Sequence, residues 1–142
     1  MKGLMLIANM AGHRVAIPAM DIESVVELEG LTPVPRSASY VAGLSALRSR
    51  VLTVIDSSAS LDIGRSAAVR HALVADWDGH LYAITVESVE DVVEAGGSVQ
   101  PVGSPLKGEW GRVTRGMIEV GGELLLVVDV GALIAGPPAL AA

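Results

Sequence analysis

The sequence predicts an all-β protein in which two similar small barrels pack together and a short helix lies at the C-terminus. Three observations carry this. Most apolar stretches are four to eight residues long, rich in Val and Ile, and bounded by Gly, Pro, Ser or Asp, which is how strands read. No stretch sustains a long helical periodicity. One pattern of residues is written twice along the chain.

The first strand is expected at Lys2–Asn9. Its apolar run is short and meets Asn9, then Gly12-His13-Arg14, with no cleavage region, so it reads as a strand and not as an export signal. Further strands are expected at Arg14–Ile17, Ile22–Leu28, Val41–Leu47, Arg50–Ile55, Arg70–Ala75, Leu81–Val86, Val113–Val120 and Glu123–Val128. Asp78-Gly79 and Gly121-Gly122 stand between pairs of these runs and read as hairpin turns. Short helical pieces are expected at Ser57–Leu61, Ser88–Glu94 and Val130–Ile134. The run Leu124 to Val130 has the length of a strand, short of the ~20 residues that cross a bilayer. Direct membrane insertion is therefore not expected, and the protein reads as cytoplasmic.

The repeat sets the organisation. Residues 12–27 read GHRVAIPAMDIESVVE and residues 79–94 read GHLYAITVESVEDVVE. Gly12, His13, Ala16, Ile17, Glu23, Val25, Val26 and Glu27 recur as Gly79, His80, Ala83, Ile84, Glu90, Val92, Val93 and Glu94. Further on, Pro33-Val34 answers Pro101-Val102, Gly43 answers Gly116, and Val54-Ile55-Asp56 answers Val127-Val128-Asp129. Residues 1–136 are expected to form a single domain of two β-units, with repeats starting near 12 and near 79. Four or five short strands per unit cannot hide both sheet edges alone, so the units should close and pack together; exchange of strands between them is open. Residues 137–142 read as a flexible tail.

Composition narrows the function. A chain of 142 residues is the size of one domain. It has no cysteine, which excludes disulfides and thiolate chemistry and suits a reducing compartment. Its net charge of −6 disfavours a nucleic-acid backbone as partner, and aromatic residues at 3% leave no base-stacking platform. Residues 1–75 carry seven basic groups against six acidic ones, whereas residues 76–142 carry three against ten. Two unlike partner faces fit that asymmetry, as does an uneven solvated surface.

No arrangement of catalytic groups emerges. His13, His71 and His80 lack metal-ligand spacing, and His13 and His80 read as turn-flanking structural residues. Asp56 and Asp129 end strands without a partner base and read as caps of the following turn or helix. Asp76-Trp77-Asp78-Gly79 resembles the opening of a calcium loop, but Thr85 stands where the loop needs Glu. Glu87, Glu90, Asp91 and Glu94 would share one face of a helix, a pattern commoner in solvated surfaces than in metal sites. Phosphate-binding and nucleophile-elbow glycine motifs are missing. A binding module without catalysis, metal or cofactor is the simplest reading.

The central segment LTPVP-x5-VAGLSALRSRVLTVID, from Leu31 to Asp56, resembles the CheW-like family of chemotaxis adaptors. So do AIPAMDIESVVEL upstream, VESVEDVVEA downstream and GMIEVGGELLLVVDVGAL near the end, in the family's order and spacing across nearly the whole chain. The resemblance implies two five-stranded SH3-like barrels. It also implies a scaffold that couples the tips of methyl-accepting chemoreceptors to the regulatory domain of the histidine kinase CheA, reaching membrane-bound arrays only through these partners. Carried over residue by residue, the receptor groove would comprise Ile22, Ser24, Val25, Gly43, Leu44, Leu47 and Arg48, receiving an apolar strip of a receptor helix. Ile22, Leu44 and Leu47 read equally well as barrel core.

Three positions depart from the family pattern. Ser24 replaces a Glu that commonly pairs with the Arg at position 48. Ser49 replaces the Gly of Leu-Arg-Gly, and Ser57 replaces the Leu after Val-Ile-Asp. On a strand, Glu23 and Glu27 should not point the way Ser24 does. Two functions follow: a receptor–kinase adaptor, or a regulator of the same fold with a changed partner.

Overall fold

The computed structural model describes residues 3–64, 66, 70–95 and 97–137. Lys2 of the expected first strand and residues 138–142 of the expected tail lie outside the described residues. The chain runs β1 (Leu4–Met10), β2 (His13–Pro18), a 3-10 turn (Ala19–Asp21), β3 (Ser24–Glu27), β4 (Val41–Leu47), β5 (Arg50–Ile55) and α1 (Ser57–Ser60). It continues with β6 (His71–Trp77), β7 (His80–Val86), β8 (Ser88–Glu94), α2 (Trp110–Val113), β9 (Thr114–Val120), β10 (Glu123–Val128) and α3 (Val130–Ala135).

Four hairpins turn on two residues that both have positive φ: Ala11-Gly12 (51° and 80°), Arg48-Ser49 (49° and 70°), Asp78-Gly79 (53° and 80°) and Gly121-Gly122 (57° and 83°). These are mirror-image turns whose twist matches that of the flanking strands. The two repeats therefore use the same pair of turns at equivalent places.

The strands form two five-stranded sheets in the orders β8-β1-β2-β10-β9 and β3-β6-β7-β5-β4. By the repeat, β1 to β5 correspond to β6 to β10, so the two orders are one topology. Each sheet takes two strands from one repeat and three from the other. The joints are parallel: β10 lies beside β2, with Leu126 opposite Val15, and β5 beside β7, with Val54 opposite Ala83. The second sheet is built from one continuous stretch, Ser24 to Val86, inserted between β2 and β8 of the first.

The chain after β3 returns to the far edge of its sheet. Thr32 and Leu44 exchange two backbone hydrogen bonds, each 2.9 Å. Gln100 and Met117 do the same after β8, each at 2.7 Å. Both closures need glycine beside them. A β-carbon on Gly43 would stand 2.6 Å from the Thr32 carbonyl oxygen, and one on Gly116 would overlap the Gln100 carbonyl.

Three apolar cores result. Met5, Ile7, Ala16, Leu125 and Val127 fill the first sheet. Their repeat counterparts Ala72, Val74, Ala83, Leu52 and Val54 fill the second. The opposite faces, with Leu6, Ala8, Val15, Ile17, Ile55, Leu73 and Ile84, meet in a larger core between the sheets, which Leu133 and Ile134 of α3 complete. Strand alternation thus gives each hairpin one face for its own barrel and one for its neighbour.

The expected short helix at Ser88–Glu94 is the strand β8, antiparallel to β1. Its register skips Glu90, with Ala8 opposite Val89 and Ile7 opposite Asp91. This bulge interrupts the alternation. Val89 packs on the core between the sheets and Val93 on the core of the first sheet. A break in strand period, not a helical face, spaces the apolar residues.

The helices are capped as their sequences suggest. Asp56 accepts from the amides of Ser58 and Ala59 at 3.0 and 3.2 Å, and Asp129 from that of Ala132 at 3.3 Å. The unexpected α2 supplies Arg112, whose guanidinium donates to the carbonyls of Ala132 and Ser60 and pairs with Glu109. Ser60 Oγ donates to the Leu133 carbonyl at 2.8 Å, and Tyr40 Oη to that of Ala135 at 2.9 Å. These bonds reach carbonyls at the helix ends, of which those of Ala132 and Leu133 also accept from the Gly136 amide, and they tie α1, α2 and α3 together.

Candidate functional site

The seven residues expected to form one groove divide among four places. Ile22 packs on the core between the sheets and lines an inter-sheet cleft of about 420 Å3 together with Met20, Trp77, Val130 and Arg115. Ser24 and Val25 are exposed on β3, an edge strand paired with β6 alone. Gly43 is buried at the barrel closure, with Leu44 half-buried beside it. Leu47 packs on the core of the second sheet. Leu47 and Arg48 line a smaller cleft of about 260 Å3 with Glu27, Leu28 and Glu29.

Arg48 is exposed on the hairpin turn. The shortest ion pair formed in this region is instead Arg50 Nη2 to Glu23 Oε1, 2.8 Å, between β5 and the residue before β3. Glu23 precedes the first residue of β3, so strand alternation does not set its direction. The first sheet carries the counterpart. Glu90, the repeat equivalent of Glu23, and Glu123, the equivalent of Arg50, both bind Arg14, at 3.0 and 2.9 Å. The hydrogen bonds that Arg14 donates to Glu90 raise its pKa above the ordinary value. Both sheets thus carry a charge bridge over the same strands, with the sign reversed at position 123.

The sequence reading missed two exposed apolar residues on the cleft beside Ile22. Met20 is 92% exposed and Trp77 47%. The indole lies against Gly131, where a β-carbon would overlap the ring. Asp21 and Asp129 approach Arg115 at 3.8 and 3.6 Å on the same side. The cleft therefore offers apolar surface over a charged floor, as a groove for an amphipathic partner helix requires. A signal for Trp77 was present in Asp76-Trp77-Asp78-Gly79, which read only as a turn.

The residues considered for chemistry have structural partners. His13 and His80 each direct Nδ1 to the carbonyl two residues back, Ala11 and Asp78, at 3.1 Å. His13 also meets Trp110 edge-on, with ring centroids 4.9 Å apart. Glu87 accepts from the Gly12 amide at 2.7 Å, Glu90 binds Asn9 and Arg14, and Asp91 accepts from the Val92 amide. Among the described residues no three His, Asp or Glu side chains are placed to hold a metal ion. No helix among them is long and apolar enough to cross a membrane.

A pair of pseudo-equivalent five-stranded sheets with an exposed inter-sheet groove defines a duplicated, all-β domain. The CheW-like domain model matches residues 4–137, and the chain belongs to that family. The chemotaxis protein CheW of Rhizobium meliloti (strain 1021) is 29% identical over 119 residues, 78% of this chain and 76% of that protein. The chemotaxis protein CheW of Thermotoga maritima is 24% identical over 115 residues, 80% and 76% of the two chains. The crystal structure of the scaffolding protein TtCheW from Thermoanaerobacter tengcongensis aligns with a TM-score of 0.81 at 17% identity, over 94% of this chain and 92% of that one. At that identity the likeness speaks for the fold.

Proposed function

We propose that this chain is a non-catalytic, cytoplasmic adaptor that couples chemoreceptor tips to the regulatory domain of the kinase CheA. The observation that carries the proposal is the family match over residues 4–137. The exposed apolar residues beside Ile22 and along β3 support a receptor helix laid against Ile22, Ser24 and Val25. Arg48 stands at one end of this surface, on an unburied turn from which it can reach a receptor acid or carbonyl. Gly43, Leu44 and Leu47 shape the barrel behind it. Each contact of this kind is modest, and multivalency in an array supplies the remaining affinity.

The test is a titration of the purified protein against the CheA regulatory domain, followed by a receptor-tip fragment. Binding to the kinase domain that the receptor fragment strengthens is the expected result. A folded protein that binds neither would favour the second reading, a regulator of this fold with a changed partner. The observation behind that second reading is Ser24, which offers Arg48 no carboxylate, while the local charge pair is Glu23–Arg50.

A further inference from the structure

A second cleft, of about 620 Å3, shares part of its lining with the first by the repeat. Ser57 and Ser58 occupy there the places of Val130 and Gly131, and Glu87 that of Met20. At these three places the second cleft offers two hydroxyls and a carboxylate where the first offers apolar groups. We propose that this second cleft binds a small neutral polyhydroxylated molecule of monosaccharide size.

The hydrogen-bond inventory selects the ligand class. Asp56 is occupied, since its carboxylate accepts from the amides of Ser58, Ala59 and Ser66 and from Ser66 Oγ. Ser57 is occupied too, with its amide and hydroxyl on Thr85 Oγ1 at 2.9 and 3.1 Å. Four groups at the cleft retain capacity among the described residues. Glu87 uses Oε1 on the Gly12 amide and keeps Oε2. Ser58 Oγ is approached by Ser66 Oγ at 3.5 Å as an acceptor and keeps its own hydrogen. Arg70 stands 3.8 Å from Glu27 with 73% of its side chain exposed. His71 is half-buried beside it. A ligand must therefore both donate, to Glu87, and accept, from Ser58 and Arg70. A hydroxyl does both. Arg70 and Glu87 offset each other in charge, which disfavours an anion. Val86 and the exposed Ile63 add apolar surface for the carbon face of a ring. The volume lies in the range of small-molecule sites.

The experiment titrates the full-length protein with D-glucose, D-galactose and myo-inositol, and separately with inorganic phosphate, following backbone amide shifts by NMR. The expected result is a saturable response to at least one polyol, at roughly millimolar Kd, with shifts centred on Ser58, His71 and Val86. Ser58→Ala and Glu87→Gln should each weaken it about tenfold. Neither side chain is in an apolar core, and circular dichroism verifies that both variants fold. Absence of saturation with all three polyols overturns the proposal. So does a response to phosphate alone, a response centred elsewhere, or one that both variants leave unchanged.

Discussion

Glu23 and Arg50 close a 2.8 Å ion pair, although 27 residues of sequence and the strands β6 and β7 of the sheet separate them. Arg48, two residues away on the turn, is left to solvent. Both partners of the pair are nearly half exposed, so its intrinsic stabilisation is at most about 1 kcal/mol and is screened by salt.

Arg48→Ala should therefore leave the unfolding midpoint unchanged and weaken receptor coupling in a reconstituted receptor–kinase assay. Glu23→Ala should cost at most about 1 kcal/mol in urea unfolding. Full coupling by folded Arg48→Ala protein would remove Arg48 from the partner surface.

Ser49 occupies a left-handed conformation, φ 70°, that Gly122 fills in the other repeat. A side chain costs about 1 kcal/mol or more there, partly offset by the greater freedom of an unfolded glycine. Ser49→Gly should raise stability by roughly 0.5–1 kcal/mol, read as a higher urea midpoint at constant slope. A lower midpoint would show that the serine side chain stabilises the turn.

Gly43→Ala places a β-carbon against the Thr32 carbonyl, a backbone atom that cannot swing aside. Crowding of this sort costs about 1–3 kcal/mol. The Thr32–Leu44 closure should loosen with it, seen as faster amide exchange at those two residues. A variant of native stability and exchange would return Gly43 to the partner surface as its main role.

Arg112→Ala removes the donors that α2 offers to Ser60 and Ala132. Hydrogen bonds from charged groups contribute about 1.5–3 kcal/mol, and a loss of about 2–3 kcal/mol is expected. Amide exchange should quicken first in α3. Uniform acceleration across both sheets would mean that Arg112 does not act through the helices.

The strands and the repeat were legible because their signals are local: apolar runs of strand length, and Gly-containing turns at fixed places. The caps at Asp56 and Asp129 were legible for the same reason. Other features arise only from distant pairing. Nothing in β2 announces that β10 will lie beside it. The skipped Glu90 disguised β8. The four-residue α2 has no side-chain cap at its start and is held by Arg112 across the fold. At the candidate site, the match of Gly43 with Gly116 was legible, but the sequence reading placed Gly43 in the groove, and the close approach of the Thr32 carbonyl appears only in the fold. The Glu23–Arg50 pair and the exposure of Met20 depend on tertiary placement and left no pattern in the sequence, and the turn around Trp77 did not announce that its ring would line a cleft.

The insertion of one sheet within the other has a consequence for synthesis. The stretch from Ser24 to Val86 holds every strand of the second sheet, so that sheet can assemble while the C-terminal third is still being translated. The first hairpin must wait until Val128 has been made. At about 5–20 residues per second the interval is roughly 2–8 s. Throughout it, one face of the hairpin, with Met5, Ile7 and Ala16, lacks the strands that later cover it. The ribosome therefore imposes an order on two sheets that share one topology, and the earliest residues translated are the last to be enclosed.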